Sequence, residues 1–212
     1  MTIAQALVAF CIAAGLLTIA PGLDTAIVLR TAAAEGPRRA ALAAVGVVMG
    51  CLTWGAAVAL GLGALLAASE LAFTILKWAG ALYLLWLGLH LLLEPRSRFD
   101  LQLTDRSDTP PAGGGSWLRR GYFTNLLNPK VGVFYVSFLP QFLPAHVSAG
   151  AFIFLLAALH ALMGLAWFAL LIVATRPVAR ALRRPSVVRR LDRLTGLVFV
   201  GFGVKLALIR RA

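Results

Sequence analysis

The 212-residue sequence predicts an all-α integral membrane protein: six transmembrane helices in two inverted three-helix repeats, the first and fourth helices broken at Pro21 and Pro129. Three observations lead there. Hydrophobic residues make up 60% of the chain and charged residues 13%, with a mean hydropathy of +0.87, more apolar surface than a water-soluble domain of this length can cover. Six apolar stretches each reach the ~20 residues needed to cross a bilayer. Two of these stretches carry an interior proline flanked by glycine, asparagine and charge, where an ordinary span would run unbroken.

The stretches run approximately 5–32, 40–68, 71–93, 118–141, 149–174 and 194–210. The first is expected to be an uncleaved helix, because no Lys or Arg precedes Arg30 and the basic region of a signal peptide is missing. The polar stretch from Glu94 to Ser116 is rich in Pro, Gly, Ser and Asp. It reads as a flexible cytoplasmic linker (95–116) between a first half (1–94) and a second half (117–212). A second basic loop is expected at Thr175–Arg190.

Arginines set the orientation. Arg30, Arg38 and Arg39 flank the first connection, Arg96, Arg98, Arg106, Arg119 and Arg120 the third, and a further cluster from Arg176 to Arg193 the fifth. The second and fourth connections have none. The positive-inside rule then places the odd connections in the cytoplasm and both termini outside, with Arg210 and Arg211 running weakly against it. Three spans per half force the second half to enter from the opposite side, so repeated halves are inverted repeats. The likeness of Ala79–Leu89 to Thr195–Leu206, and of Pro21 to Pro129, fits such a repeat. Inverted repeats with interrupted helices are a pattern of secondary transporters.

Other classes fit less well. The formal net charge of +12 lies between apolar spans rather than on an exposed patch interleaved with aromatics, so nucleic acid is not an expected partner; membrane lipid is. Cys11 and Cys51 have no CxxC or His partner and read as small core residues, and no metal or cofactor is expected. The sequence holds no HExxH or GxSxG and no paired-aspartate motif, which argues against an enzyme. A metal-cation or other small-solute exporter and a non-transporting assembly subunit remain as alternatives. Gly46–Gly50 has small-xxx-small spacing and reads as an internal packing face; a homo-oligomer stays open.

The candidate site lies at the two breaks. Proline strands a carbonyl and glycine loosens the chain, and such groups cannot face lipid. Asp24, three residues after Pro21 and beside Gly22, stands about 9 Å along the helix from the level of Arg30, too deep for an idle carboxylate. It either caps the second half of the helix or binds a ligand, and the two are compatible. In the fourth span Asn125, Asn128, Pro129 and Lys130 repeat the device: Asn128 can bond a stranded carbonyl, and Lys130 adds a cation that either finds an anion or snorkels to the cytoplasmic side. Asp24 and Lys130 are thus candidate partners, or candidate sites for the ammonium and carboxylate of one ligand. His160, mid-way along the fifth span, is a candidate proton relay or a packed histidine. Gln141 and Tyr83 are candidate polar lining, with packing as the other reading of Tyr83. Lys205 is read as snorkelling.

At these stretches the sequence resembles the lysine exporter family of amino-acid efflux carriers, in particular its homoserine and threonine resistance branch. Pro21, Gly22 and Asp24 match the family's Pro-Gly-Pro-Asp run, with Leu23 in place of the second proline. Asn125–Lys130 matches Asn-Leu-Leu-Asn-Pro-Lys, and Leu139, Pro140, Gln141 and Phe142 match the Leu-Pro-Gln-Phe that follows. Lys77, Gly80, Ala81, Tyr83 and Leu84 match a third-helix motif, which makes Lys77 a candidate as well. The resemblance implies an exporter of an amino acid, neutral and threonine- or homoserine-like, or of a close derivative, in the bacterial inner membrane, driven by antiport of a proton.

Overall fold

The computed structural model describes residues 2–68, 70–96, 114–182 and 184–208, and among them every regular element is helical. Most of the expected linker, 97–113, and the C-terminal Arg210 and Arg211 lie outside the described residues.

Both breaks are present. Helix α1 (Ile3–Ile19) ends where Ala20 is forced extended by the following proline, and α2 (Leu23–Glu35) restarts two residues after Pro21, bent by 51° from α1. Helix α5 (Gly114–Leu126) likewise stops before Asn128, which is extended for the same reason, and Pro129 opens α6 (Pro129–Phe138) at a position where a missing N–H costs nothing. A 3-10 turn, Leu139–Phe142, extends α6. Gly36, at a φ of 88°, makes the left-handed corner between α2 and the long α3 (Pro37–Ala68).

Helices α4 (Glu70–Leu93), α7 (Ala149–Val173), α8 (Thr175–Leu182) and α9 (Pro185–Leu208) complete the bundle. The stretch expected as a basic loop thus contains a short helix, and α9 begins nine residues before the apolar run does, at a proline suited to a first helical turn. Helices α3 (over Pro37–Gly61) and α7 are each long and apolar enough to cross a membrane, and the bent α1–α2 pair qualifies as one further span. Val8, Ile12, Leu60, Trp86 and Leu162 face outward, an apolar exterior that water would not tolerate and lipid does. The chain is a multi-pass membrane protein.

Helix α3 is the centre of the packing. Gly46 lies against the Leu118 carbonyl, Gly121 against that of Ala43, and Gly50 against the Asn125 side chain, so α3 and α5 approach to a distance that any side chain would prevent. The Gly46–Gly50 pair is therefore an internal packing face. Gly88 and Gly196 draw α4 and α9 together in the same way. Two apolar clusters form, one around Phe10, Phe134, Phe138 and Phe142, the other around Val28, Val47, Phe168 and Leu171.

Candidate functional site

The close approach of α3 to α5 brings the first break against the second. Asp24, in the first turn of α2, accepts a hydrogen bond from Asn125 Nδ2 at 2.8 Å through Oδ2. Asp24 Oδ1 is buried and has no protein partner among the described residues. Asn125 is itself fully buried and uses the same amide nitrogen to reach Cys51 Sγ at 3.4 Å. Asp24 is not the capping residue; Gly22 holds that position and offers no side-chain cap. A methyl group on Gly22 would stand 2.9 Å from Lys130 Nζ, so glycine there admits the lysine head. Asn128 does not bond a stranded carbonyl: its Oδ1 accepts from the Lys130 backbone N–H at 3.1 Å and caps α6.

These groups surround a cavity of about 50 Å³. Gly22, Asp24, Asn128, Lys130 and His160 line it, together with Cys51. That space exceeds what a single water needs. Asp24 and Lys130, an acid and a base, both line the cavity, and among the described contacts they form no direct ion pair. The N-terminal ends of α2 and α6 open on the same space, adding two partial positive charges. Thr18 and Thr25 also line it, and the rest of the lining, including Val47, Val48, Val131 and Phe168, is apolar. An acid and a base beside a largely apolar wall suit a small zwitterion with a hydrocarbon side chain.

Behind the cavity, Tyr135 is fully buried and its hydroxyl bonds His160 Nδ1 at 2.9 Å. On the other side Arg96 bridges three elements. Its guanidinium donates to both carboxylate oxygens of Asp192 on α9, through Nη2 at 2.5 Å and Nε at 3.0 Å, and to the Pro21 carbonyl at 2.9 Å. One of the carbonyls freed at the first break, that of Pro21, is satisfied there.

The sequence profile of the LysE type translocator family matches residues 16–210. The chain belongs to that family. It is 31% identical over 203 residues to a leucine efflux protein of Klebsiella pneumoniae, covering 95% of this chain and 94% of that one. A homoserine/homoserine lactone efflux protein of Salmonella typhi is 29% identical over 204 residues, covering 96% and 97%. An uncharacterized membrane protein of Bacillus subtilis is 28% identical over 209 residues, covering 96% and 99%. No solved structure matches.

Of the residues singled out in this LysE-type sequence, Gly22, Asp24, Asn128, Lys130 and His160 share the cavity, and Asn125, Pro21 and Pro129 shape it from behind. Tyr83 packs its ring toward Trp86, and Gln141 donates to the Ser137 carbonyl at 2.9 Å; neither lines the cavity. Lys77 is on α4, and its side chain lies outside the described residues. Lys205 places its ammonium 5.5 Å from the ring centre of Phe142 and 5.7 Å from that of Phe202. Sequence reasoning missed Cys51, Tyr135 and the Arg96–Asp192 pair. Asp192 was the one with a signal: a lone acid among Arg189, Arg190 and Arg193 at the start of an apolar helix.

Proposed function

We propose that the chain is a secondary transporter that exports a neutral amino acid, or a close derivative, from the cytoplasm across the bacterial inner membrane. The observation that carries this reading is the meeting of two broken helices around one cavity with Asp24 and Lys130 facing it. In the proposed complex the substrate ammonium rests on Asp24, and its carboxylate rests between Lys130 and the N-terminus of α6. The apolar remainder of the lining takes the side chain. The names of the leucine and homoserine efflux relatives support a neutral substrate.

The transporter is proposed to have six spans in two inverted halves, 1–94 and 117–212, joined by a cytoplasmic linker at 95–116, with periplasmic termini. The bent α1–α2 pair, the interrupted α5–α6 pair and the glycine-mediated α4–α9 contact between the third spans of each half support that arrangement. Rocking of the halves alternates access. Protonation of Asp24 from the periplasm releases the substrate ammonium there and couples proton influx to export, with His160, held by Tyr135, beside the same space.

Cells preloaded with dipeptides of the neutral and basic amino acids provide the test. Release of a neutral amino acid is expected to be faster with the intact protein than with Asp24→Asn or Lys130→Ala, and to slow as external pH rises and the inward proton gradient shrinks. If Asp24→Asn retains full release with unchanged pH dependence, the coupling role is wrong. If no amino acid leaves faster while the protein sits folded in the membrane, the amino-acid assignment fails.

A further inference from the structure

Helix α7 lines the cavity with His160, Gly164 and Phe168, spaced four residues apart and so on one face, rising about 6 Å per step. The middle one is unusual. Glycine destabilises the interior of a helix relative to alanine, so a glycine at that position calls for a reason. At most other helical glycines the reason is contact, while Gly61 and Gly201, with nothing within 4 Å, are exposed and do not line the cavity. Methyl groups on Gly50, Gly88 and Gly196 would stand within 2.5 to 2.8 Å of side-chain or backbone atoms of the facing helix. Gly46, Gly55 and Gly121 are packed more tightly still. At Gly164 nothing presses: among the described residues, the only atom near an added methyl is Phe168 Cε2, at 3.9 Å. Close helix packing therefore does not account for this glycine, and the space over it belongs to the cavity.

Resting on the amino-acid reading above, we infer that Gly164 and Phe168 set the size of the substrate side chain that the site accepts. The gap over Gly164 receives the aliphatic chain, Phe168 is its end wall, and Val47 and Val48 flank it from α3. Phe168 is buried and backed by Val47 and Leu171 in the second apolar cluster, so the wall is fixed rather than mobile. A methyl on residue 164 occupies the gap without moving the helix. A smaller side chain on residue 168 deepens it.

The experiment measures release of alanine, leucine and phenylalanine from cells preloaded with the corresponding dipeptides, with membrane abundance of each variant quantified alongside. Gly164→Ala is expected to lower the leucine-to-alanine release ratio about tenfold, the discrimination that a methyl-sized change in an apolar pocket supplies. Gly164→Val should lower it further. Phe168→Leu should act in the opposite direction and raise the phenylalanine-to-leucine ratio severalfold. A Gly164→Ala protein that reaches the membrane and releases leucine and alanine in the wild-type ratio would overturn the inference. If Gly164→Ala does not reach the membrane, Phe168→Leu decides: an unchanged phenylalanine-to-leucine ratio rejects the wall. A wild-type protein that releases no amino acid from the full set of neutral and basic dipeptides brings down the transport reading itself, a result distinct from release without size discrimination.

Discussion

Two acids near the breaks have opposite surroundings. Asp192 is 1% exposed and every oxygen has a partner: Arg96 gives its backbone N–H at 2.9 Å, its Nε and its Nη2, and spends the same guanidinium on the Pro21 carbonyl. Asp24 accepts a hydrogen bond from Asn125, and among the described residues its other oxygen has no protein partner and Lys130 shares the cavity without pairing directly. A closed pair fixes geometry, whereas an open one keeps binding capacity in reserve. The comparison separates a group that holds the fold from a group available to a ligand, although both are carboxylates at broken or bent parts of the same bundle.

Breaking the closed pair is expected to have the largest effect on stability. Arg96→Ala leaves the Asp192 carboxylate buried with no counter-ion and the Pro21 carbonyl without its donor, at a cost of about 3 kcal/mol. Asp192→Ala should cost less, because Arg96 is 42% exposed and can turn to water. A thermal melt of the detergent-solubilised variants checks both the loss and the asymmetry between the two partners.

The open site should show the reverse pattern. Asp24→Asn removes a charge that the fold does not neutralise directly, so its melting temperature is expected to stay at or above that of the wild type. Transport is expected to fall about tenfold to a hundredfold, the equivalent of losing one charge-assisted hydrogen bond to the substrate. Melting and amino-acid release measured on the same preparations give the comparison its sharpest form. A variant that loses stability but keeps release would assign Asp24 to the structure.

A smaller effect is expected at the back of the cavity. Tyr135→Phe leaves His160 Nδ1 without its partner in a buried position, a loss of about 1 kcal/mol in the same melt. Because Tyr135 orients the ring that faces the cavity, the pH dependence of release should shift as well. A merely space-filling tyrosine would leave the pH profile in place.

Legibility in the sequence followed locality. Both breaks were readable because proline acts on its own residue and its immediate neighbour, and the internal face at Gly46–Gly50 was readable from spacing alone. Asp24 and Lys130 could be named together as candidates because each sits at a break, and both line one cavity, without a direct ion pair among the described contacts. Cys51 and Tyr135 were not readable: on an apolar helix a thiol or a phenol reads as core until a partner from another helix is known. Arg96 and Asp192 stand 96 positions apart, and Arg96 looked like one more cytoplasmic arginine. Helix α8 was missed because its arginines were weighed as charge, not as one side of a short amphipathic turn.

The smallest expected effect sharpens the comparison from the outside. Glu94 on the end of α4 stands 3.6 Å from His90, and Glu35 pairs with Arg39 across the corner at Gly36; all four side chains are exposed or partly so. The Glu35–Arg39 pair has the same chemistry as Arg96–Asp192, yet water screens its charges and the side chains lose entropy in meeting. Glu35→Gln is therefore expected to change stability by less than about 0.5 kcal/mol and to leave release unaffected. A loss approaching that of Arg96→Ala would mean that charge pairing itself, rather than burial with every oxygen satisfied, is what anchors the first break, and the distinction between closed and open acids would no longer hold.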